Sequence, residues 1–385
     1  MTYRSSVLVL GGGVGGLVSA AAARKRLPSD HRVVLVDRRR HHVFDPSLLW
    51  LMTGGRTRDD ISRPLERLRR RGIELITGEI ERIDPERRMV SVDGTEIEGE
   101  HLIVALGAEF APELVPGLSE AGHTFYGLEG AEELRDALRT FRAGRLAVLT
   151  AEPVYKCPAA PYEAAMLLEH HLRRRGVREA VEIDLYAAEP GPMGVAGPEV
   201  SAGVRAMVEG KGIGYHPEHQ VERVDSEAKR ISFANGAEAD FDLLAYVPPH
   251  RAPRVVLESG LAGETGWIPV DRKTLATRSP NVYAIGDVTT IPLELGKPLP
   301  KAGVFAHGEA EVVAENVARA ITGRGSATSF DGEGACFVET GGDRAGFGSG
   351  DFYAEPLPDV KLRSPGRRWH LAKVLFEKRW LRRLS

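Results

Sequence analysis

The sequence predicts an α/β protein built on two strand–helix–strand units, and three observations predict it. The first is Gly11-Gly12-Gly13-Val14-Gly15-Gly16, set between the apolar run Val7–Leu10 and a small-residue helix reaching Ala23. A second strand, Arg32–Asp37, closes that unit on an acid. The second observation is a return of the same order later in the chain. Helix 131–144, strand 145–151, segment 152–176 and strand 181–190 follow one another without a long break. Parallel strands joined through helices are the mark of the α/β class. The third is composition: 42% hydrophobic and 27% charged residues make a globular balance, and 43 glycines in 385 residues exceed the usual ~7%. Backbone-driven chemistry is therefore expected.

The remaining elements follow in order. The N-terminal run has an early Arg and small residues like a secretory signal, but five glycines break its apolar centre, so it reads as strand, turn and helix. Residues 63–72 read as a helix ending at Gly72, and 73–109 as short antiparallel strands closing on a buried strand, His101–Leu106. A hairpin and a strand are expected within 230–249, a strand and turn at 281–293, and a strong helix at 307–323. A last helix is expected to start near Ser364-Pro365, a cap residue followed by Pro. At about 150 residues per domain, the length allows two or three. The expected division is residues 1–110 with 250–325, residues 111–249, and a C-terminal region 326–385.

The glycine run satisfies Gly-x-Gly-x-x-Gly in full context: strand before, helix after, and Asp37 at 21 residues past Gly16. Gly11 permits the tight turn, Gly13 lets a pyrophosphate approach the backbone, and Gly16 lets helix and strand pack closely. The helix N-terminus then stabilises phosphate charge, and Asp37 can accept from ribose hydroxyls. The plain alternative is a glycine turn that serves packing alone. The second unit is different. Its corresponding loop, Ala151–Ala165, has no glycine and carries Pro153, Pro158 and Pro161, which have no N–H to offer a phosphate. A dinucleotide bound there in the usual manner is disfavoured. In its place stands Cys157 at the mouth of a helix, where the helix N-terminus and Lys156 are expected to favour the thiolate. Glu163 is a candidate proton acceptor. The plain alternative for Cys157 is a small buried core residue.

At these residues the sequence resembles the sulfide:quinone oxidoreductase family and its relative, the flavoprotein subunit of flavocytochrome c sulfide dehydrogenase. YKCPAAPYEAAMLL resembles the signature around that family's catalytic Cys. NVYAIGDV and LIVALGAE resemble the second flavin fingerprint and the returning strand of flavoproteins with two Rossmann-like dinucleotide-binding domains. YVPPHRAP, GWIPVD, PLPKAGVFAHGEA and GEGACFVETG follow in the family's order, so the likeness covers almost the whole chain. The resemblance implies FAD in the first site, held by Gly11, Gly13, Val14, Gly16, Asp37, Arg38, Ile80, Ala105, Gly107, Gly286, Asp287, Lys301 and Gly303. It also implies that Cys157 and Cys336 face the flavin as a redox pair, with Lys301 near the pyrimidine end. The family's third Cys, near 123–131, is absent, as is a Cys near 41–48. FAD is therefore expected to be non-covalent.

Charge and the remaining residues complete the reading. Two cysteines exclude a disulfide framework and four-cysteine metal sites. The net charge of −3 hides a tail: residues 361–385 hold nine Lys/Arg and one acid, about +8, which leaves −11 for the rest. Trp369, Ala372, Phe376 and Trp380 fall on one helical stripe, which suits an amphipathic helix lying on an anionic membrane. The alternative is a helix docked on the protein's own core. Nucleic acid is not expected. The pairs His41-His42 and His170-His171 lack metal-ligand spacing and read as ordinary histidines. The resulting expectation is a peripheral membrane enzyme on the cytoplasmic side that oxidises sulfide and reduces quinone, with a homo-oligomer left open. Its rivals are a type II NADH:quinone dehydrogenase and a flavin-based persulfide sensor. A flavocytochrome subunit would need an export signal and a haem partner.

Overall fold

Apolar runs without alternation suit strands covered on both faces, and in the computed structural model, which describes residues 3–383, they form the centres of two parallel sheets. In the first, Tyr3–Leu10 lies between Val33–Asp37 and Thr95–Val104, with Glu74–Thr77 outside Val33–Asp37. Leu10 is opposite both Val36 and Val104, so three strands end level, where the glycine run begins. Thr95–Val104 plays two parts. Its first half pairs antiparallel with Met89–Val92, which continues to Ile80–Asp84, and its second half runs parallel to Tyr3–Leu10. Val282–Ala284 returns to pair with Leu102–Val104 on the other side. The helices Val14–Arg26 and Gly303–Thr322 pack against each other.

The second sheet is wholly parallel, in the order His123–Thr124, Leu243–Val247, Gly144–Thr150, Val181–Tyr186, Gly214–His216. Helix Ala160–Arg174 follows Gly144–Thr150, as the second unit requires. A small antiparallel sheet, Val221–Asp225, Arg230–Phe233 and Glu238–Asp240, stands apart from it.

The C-terminal region departs from the sequence reading. Glu333–Glu339, Ala345–Asp351 and Asp359–Gly366 make a three-stranded antiparallel sheet, followed by helix Arg367–Arg383. Ser364 and Pro365 belong to the last strand, not to a helix start. Pro365 lies where the pairing register shifts between Ala345 and Phe347, a bulge at which no ladder N–H is required. Residues 65–71 also form a tight 3-10 helix, closed by Gly72 at φ 73°. Among the described residues no helix is long and apolar enough to cross a membrane.

Candidate active site

The three glycines of the motif differ in their surroundings. At Gly11 φ is 103°, and a Cβ would stand 2.3 Å from the Ala105 carbonyl oxygen. A Cβ on Gly16 would stand 1.8 Å from the Gly11 carbonyl oxygen. At Gly13 it would meet nothing within 4 Å, so this peptide faces open space. Asp37 ends its strand buried, with Oδ2 accepting from Gly12 N–H at 2.5 Å and Oδ1 from Arg39 N–H at 2.6 Å. Arg38 points outward to Glu79 at 3.3 Å, and Ile80 lies in the core behind the sheet.

Other predicted residues converge on that loop. A Cβ on Gly15 would touch Ile285 at 3.1 Å, and one on Gly303 would touch Val14 at 3.5 Å, so the two helix N-termini meet there. Gly107, at φ 70°, also faces open space. Asp287 Oδ1 is buried with no hydrogen-bond partner, a polar atom waiting for a ligand hydroxyl. Open backbone, two converging helix N-termini and this orphaned carboxylate oxygen fit a flavin dinucleotide. Lys301 lies in the same wall, beside Asp287. Its ammonium donates to the carbonyls of Asp287 at 2.7 Å and Thr289 at 2.8 Å, and lies 3.5 Å from the Trp267 ring centre. Burial pulls its pKa down to about 8, against Asp287 and Glu309.

Cys157 joins this wall through its backbone. Its N–H donates to the Lys301 carbonyl at 2.6 Å, and its own carbonyl accepts from Ala160 N–H at 2.9 Å and Tyr126 OH at 3.2 Å. These bonds hold it at φ 52°, left-handed backbone that a non-glycine residue adopts only under constraint. Cys157 and Cys336 are free thiols, and each lies within the field of Glu163 and Lys373. The expected thiolate stabilisation is not found. Burial pushes the Cys157 thiol well up, Cys336 and Glu163 push it further, and Lys373 and Lys156 oppose only in part. Burial holds Cys336 at about 12. Lys156 is spent on Asp45, 2.8 Å away, and the helix begins at Ala160, three residues past the thiol.

Glu163 is buried and already paired. Its Oε1 accepts from Lys373 Nζ at 2.7 Å and from Glu339 N–H at 2.8 Å. Lys373 belongs to the tail helix, which is docked on the protein and not free as a membrane stripe. Trp380 is buried, donating to His42 Nε2 at 2.8 Å, while His42 Nδ1 donates to the Gly12 carbonyl at 3.1 Å. His42, read as ordinary, thus ties the glycine loop to the tail. Glu377 accepts from Arg56 and Ser47. Trp369 stacks on Phe347 at 4.6 Å. The face left exposed carries Leu371, Leu375 and Phe376.

The second unit has closed its own loop. Glu189, just past strand Val181–Tyr186, is the counterpart of Asp37 one unit later. Its carboxylate accepts from Thr150 Oγ1 at 2.9 Å and from the hydroxyls of Tyr155 and Tyr162. All four side chains are buried. No sequence spacing announced this cluster, because an acid and two tyrosines form no motif.

Comparisons with known proteins agree with this fold. The family model for pyridine nucleotide-disulphide oxidoreductase matches residues 5–310. The sulfide-quinone reductase of Aquifex aeolicus (strain VF5) is 29% identical, covering 97% of this chain and 90% of that protein. The mitochondrial sulfide:quinone oxidoreductase of Mus musculus is 25% identical, covering 91% and 79%. A solved structure of the Aquifex aeolicus sulfide:quinone oxidoreductase superposes at TM-score 0.89 with 27% identity, covering 99% of this chain and 91% of that one. The resemblance read from the motifs is borne out. With the glycine cradle, the orphaned Asp287 and a matching model over most of its length, the chain belongs to the pyridine nucleotide-disulphide oxidoreductases, with FAD as its cofactor.

Proposed function

We propose that the chain oxidises sulfide to sulfane sulfur through a Cys157–Cys336 pair and passes the electrons to a membrane quinone. The observation that carries this reading is that Cys336, 179 positions away in sequence, lies within the field of the Cys157 thiol, beside the Asp287–Lys301 wall of the cradle. The names of the Aquifex and mouse relatives, a quinone reductase and a quinone oxidoreductase acting on sulfide, support it. The balance is HS− plus quinone plus one proton, giving sulfane sulfur and quinol. Hydrosulfide attacks one sulfur of the oxidised pair. That sulfur–sulfur bond breaks, releasing one Cys as thiolate and leaving the other as persulfide. Bound FAD supplies the two-electron passage between the thiol side and the quinone. Gly13, Gly107, Asp37 and Asp287 are the groups that hold it. Glu163 takes a proton at the thiols, and the strained backbone of Cys157 fixes where attack occurs. The tail helix supports peripheral docking, with Leu371, Leu375 and Phe376 toward lipid and Arg368 and Arg379 at the headgroups.

The NADH dehydrogenase rival has no loop to use: Tyr155 and Tyr162 occupy the second unit, and Glu189 is taken. Anaerobic mixing of the flavin-loaded chain with sulfide or NADH separates the readings. Sulfide is expected to bleach the flavin absorbance and a quinone to restore it. Bleaching by NADH alone would sink the proposal, and bleaching by sulfide without return by any quinone would favour the sensor. Cys157→Ser and Cys336→Ser each abolish the sulfide response if the pair acts as a unit.

A further inference from the structure

A row of buried charge runs from the two thiols to the protein surface. Glu163, in the field of both thiols, is 2.7 Å from the ammonium of Lys373. Lys373 is 4% exposed, lies 5.1 Å from the Trp50 ring centre, and feels Glu339 as well as Glu163. The Glu339 carboxylate is 1% exposed, and each of its oxygens is 3.1 Å from His370 Nδ1. His370 Nε2 is 3.7 Å from Asp343, whose side chain is 83% exposed. Glu339 and His370 line a cavity of about 1030 Å³ together with Trp50, His171, Arg174 and Lys378. The other charged groups near the row are accounted for. Lys156 faces the thiols but is paired with Asp45, Tyr126 bonds the Cys157 carbonyl, and His170 faces Asp343.

We infer that this row is the proton exit of the sulfur reaction, running from Glu163 through Lys373 and Glu339 to His370 and the cavity. The inference rests on the sulfide chemistry proposed above. Converting HS− to sulfane sulfur releases two electrons and one proton. The electrons leave to the quinone, so the proton needs its own way out of a site where both thiols are partly buried. The persulfide S–H bond breaks and its proton forms an O–H bond on Glu163. Lys373, turning about its terminal bonds, gives one N–H proton to Glu339 and takes the proton from Glu163. Glu339 passes its proton to His370 Nδ1, and the Nε2 proton leaves to cavity water. Lys373, Glu339 and His370 act through Glu163 and are positioning residues.

The test is anaerobic stopped-flow mixing of the full flavin-loaded chain with sulfide, following flavin bleaching and, with an indicator dye, proton release. His370 is 24% exposed, and His370→Ala is expected to keep its flavin content. It is expected to slow both signals at least about tenfold, with a pH profile displaced from wild type, and added imidazole restores them. Glu339→Gln, which preserves volume, slows both without imidazole rescue, because the missing acceptor is buried. Wild-type rates in either variant, or a slow His370→Ala that ignores imidazole, would overturn the relay while leaving the sulfide reading intact. A wild-type chain that sulfide does not bleach overturns that reading, and the relay falls with it.

Discussion

Glu309 carries a carboxyl into helix Gly303–Thr322, where it is buried and accepts one bond, from Gly286 N–H at 2.6 Å. Burial, with Asp287 adding to it, raises its pKa to about 7, and Gly286 and Lys301 oppose. A carboxyl raised above its ordinary 4.5 in the folded state costs nothing when protonated in both states. The cost enters as pH rises past about 4.5 and is complete above about 7. Glu309→Gln keeps the acceptor and removes the charge, so it should stabilise the chain by up to about 3 kcal/mol near pH 8. Little of that gain should remain near pH 5, and unfolding in denaturant at the two pH values reads the difference. A gain equal at both would show that ionisation is not the cause. Residues of this kind were not legible in the sequence. Asp287 and the glycines could be named because a local motif carries their roles. Glu309, Glu189 and Lys373 owe theirs to partners 23, 27 to 39 and 210 positions away. Cys157 was located by its motif, but its electrostatics were misread because burial outweighs its cations, and Lys156 is engaged by Asp45, 111 positions away.

The tail helix Arg367–Arg383 shows the same division one level up. Its amphipathic pattern and its basic charge were legible, yet of the stripe expected to face lipid, Trp369, Ala372, Phe376 and Trp380, Phe376 alone is exposed. Trp380 found a hydrogen bond to His42, and Lys373 and Glu377 found buried partners, so this face docks inward. An indole whose N–H reaches a partner is satisfied in a core and need not seek an interface. Leu371, Leu375 and Phe376 are left outward. Leu371→Glu with Leu375→Glu should lower binding to anionic vesicles at least about tenfold by removing apolar burial, with the melting temperature unchanged. Glu377→Ala should do the reverse. It leaves Arg56 without its carboxylate and should cost about 3 kcal/mol of stability, with the outward face intact. Sedimentation with vesicles and thermal unfolding, measured on both variants, check the assignment of the two faces. A loss of vesicle binding in Glu377→Ala alone would reverse it.

Across the whole molecule, two units of one fold have diverged at the same place. The first keeps an open glycine loop with Asp37 beside it; the second ends its first strand at Thr150 and gathers Thr150, Tyr155 and Tyr162 onto Glu189. The sequence could show that glycine had gone from the second loop, and it could not show what replaced the ligand, since packing of distant side chains decides that. The filling has a use: Tyr155 sits two residues before Cys157, so the cluster that closes the nucleotide site also braces the loop that presents the thiol. A ligand that binds only the folded state stabilises it by RT ln(1 + [L]/Kd), about 2.7 kcal/mol at a hundredfold excess over Kd. FAD should therefore raise the melting temperature of flavin-stripped chain, and millimolar NADH or NADPH should leave it where it was. To enter, a nicotinamide dinucleotide would have to evict two buried tyrosines and strip Glu189 of its donors, leaving that carboxylate unsatisfied. Replacing Tyr155 and Tyr162 together by Phe should lower stability without creating NADH binding, because the three prolines of the loop still offer no N–H to a phosphate. A melting temperature that rises with NADH in the unaltered chain would mean that the second unit is open in solution, and it would return the NADH dehydrogenase reading to first place.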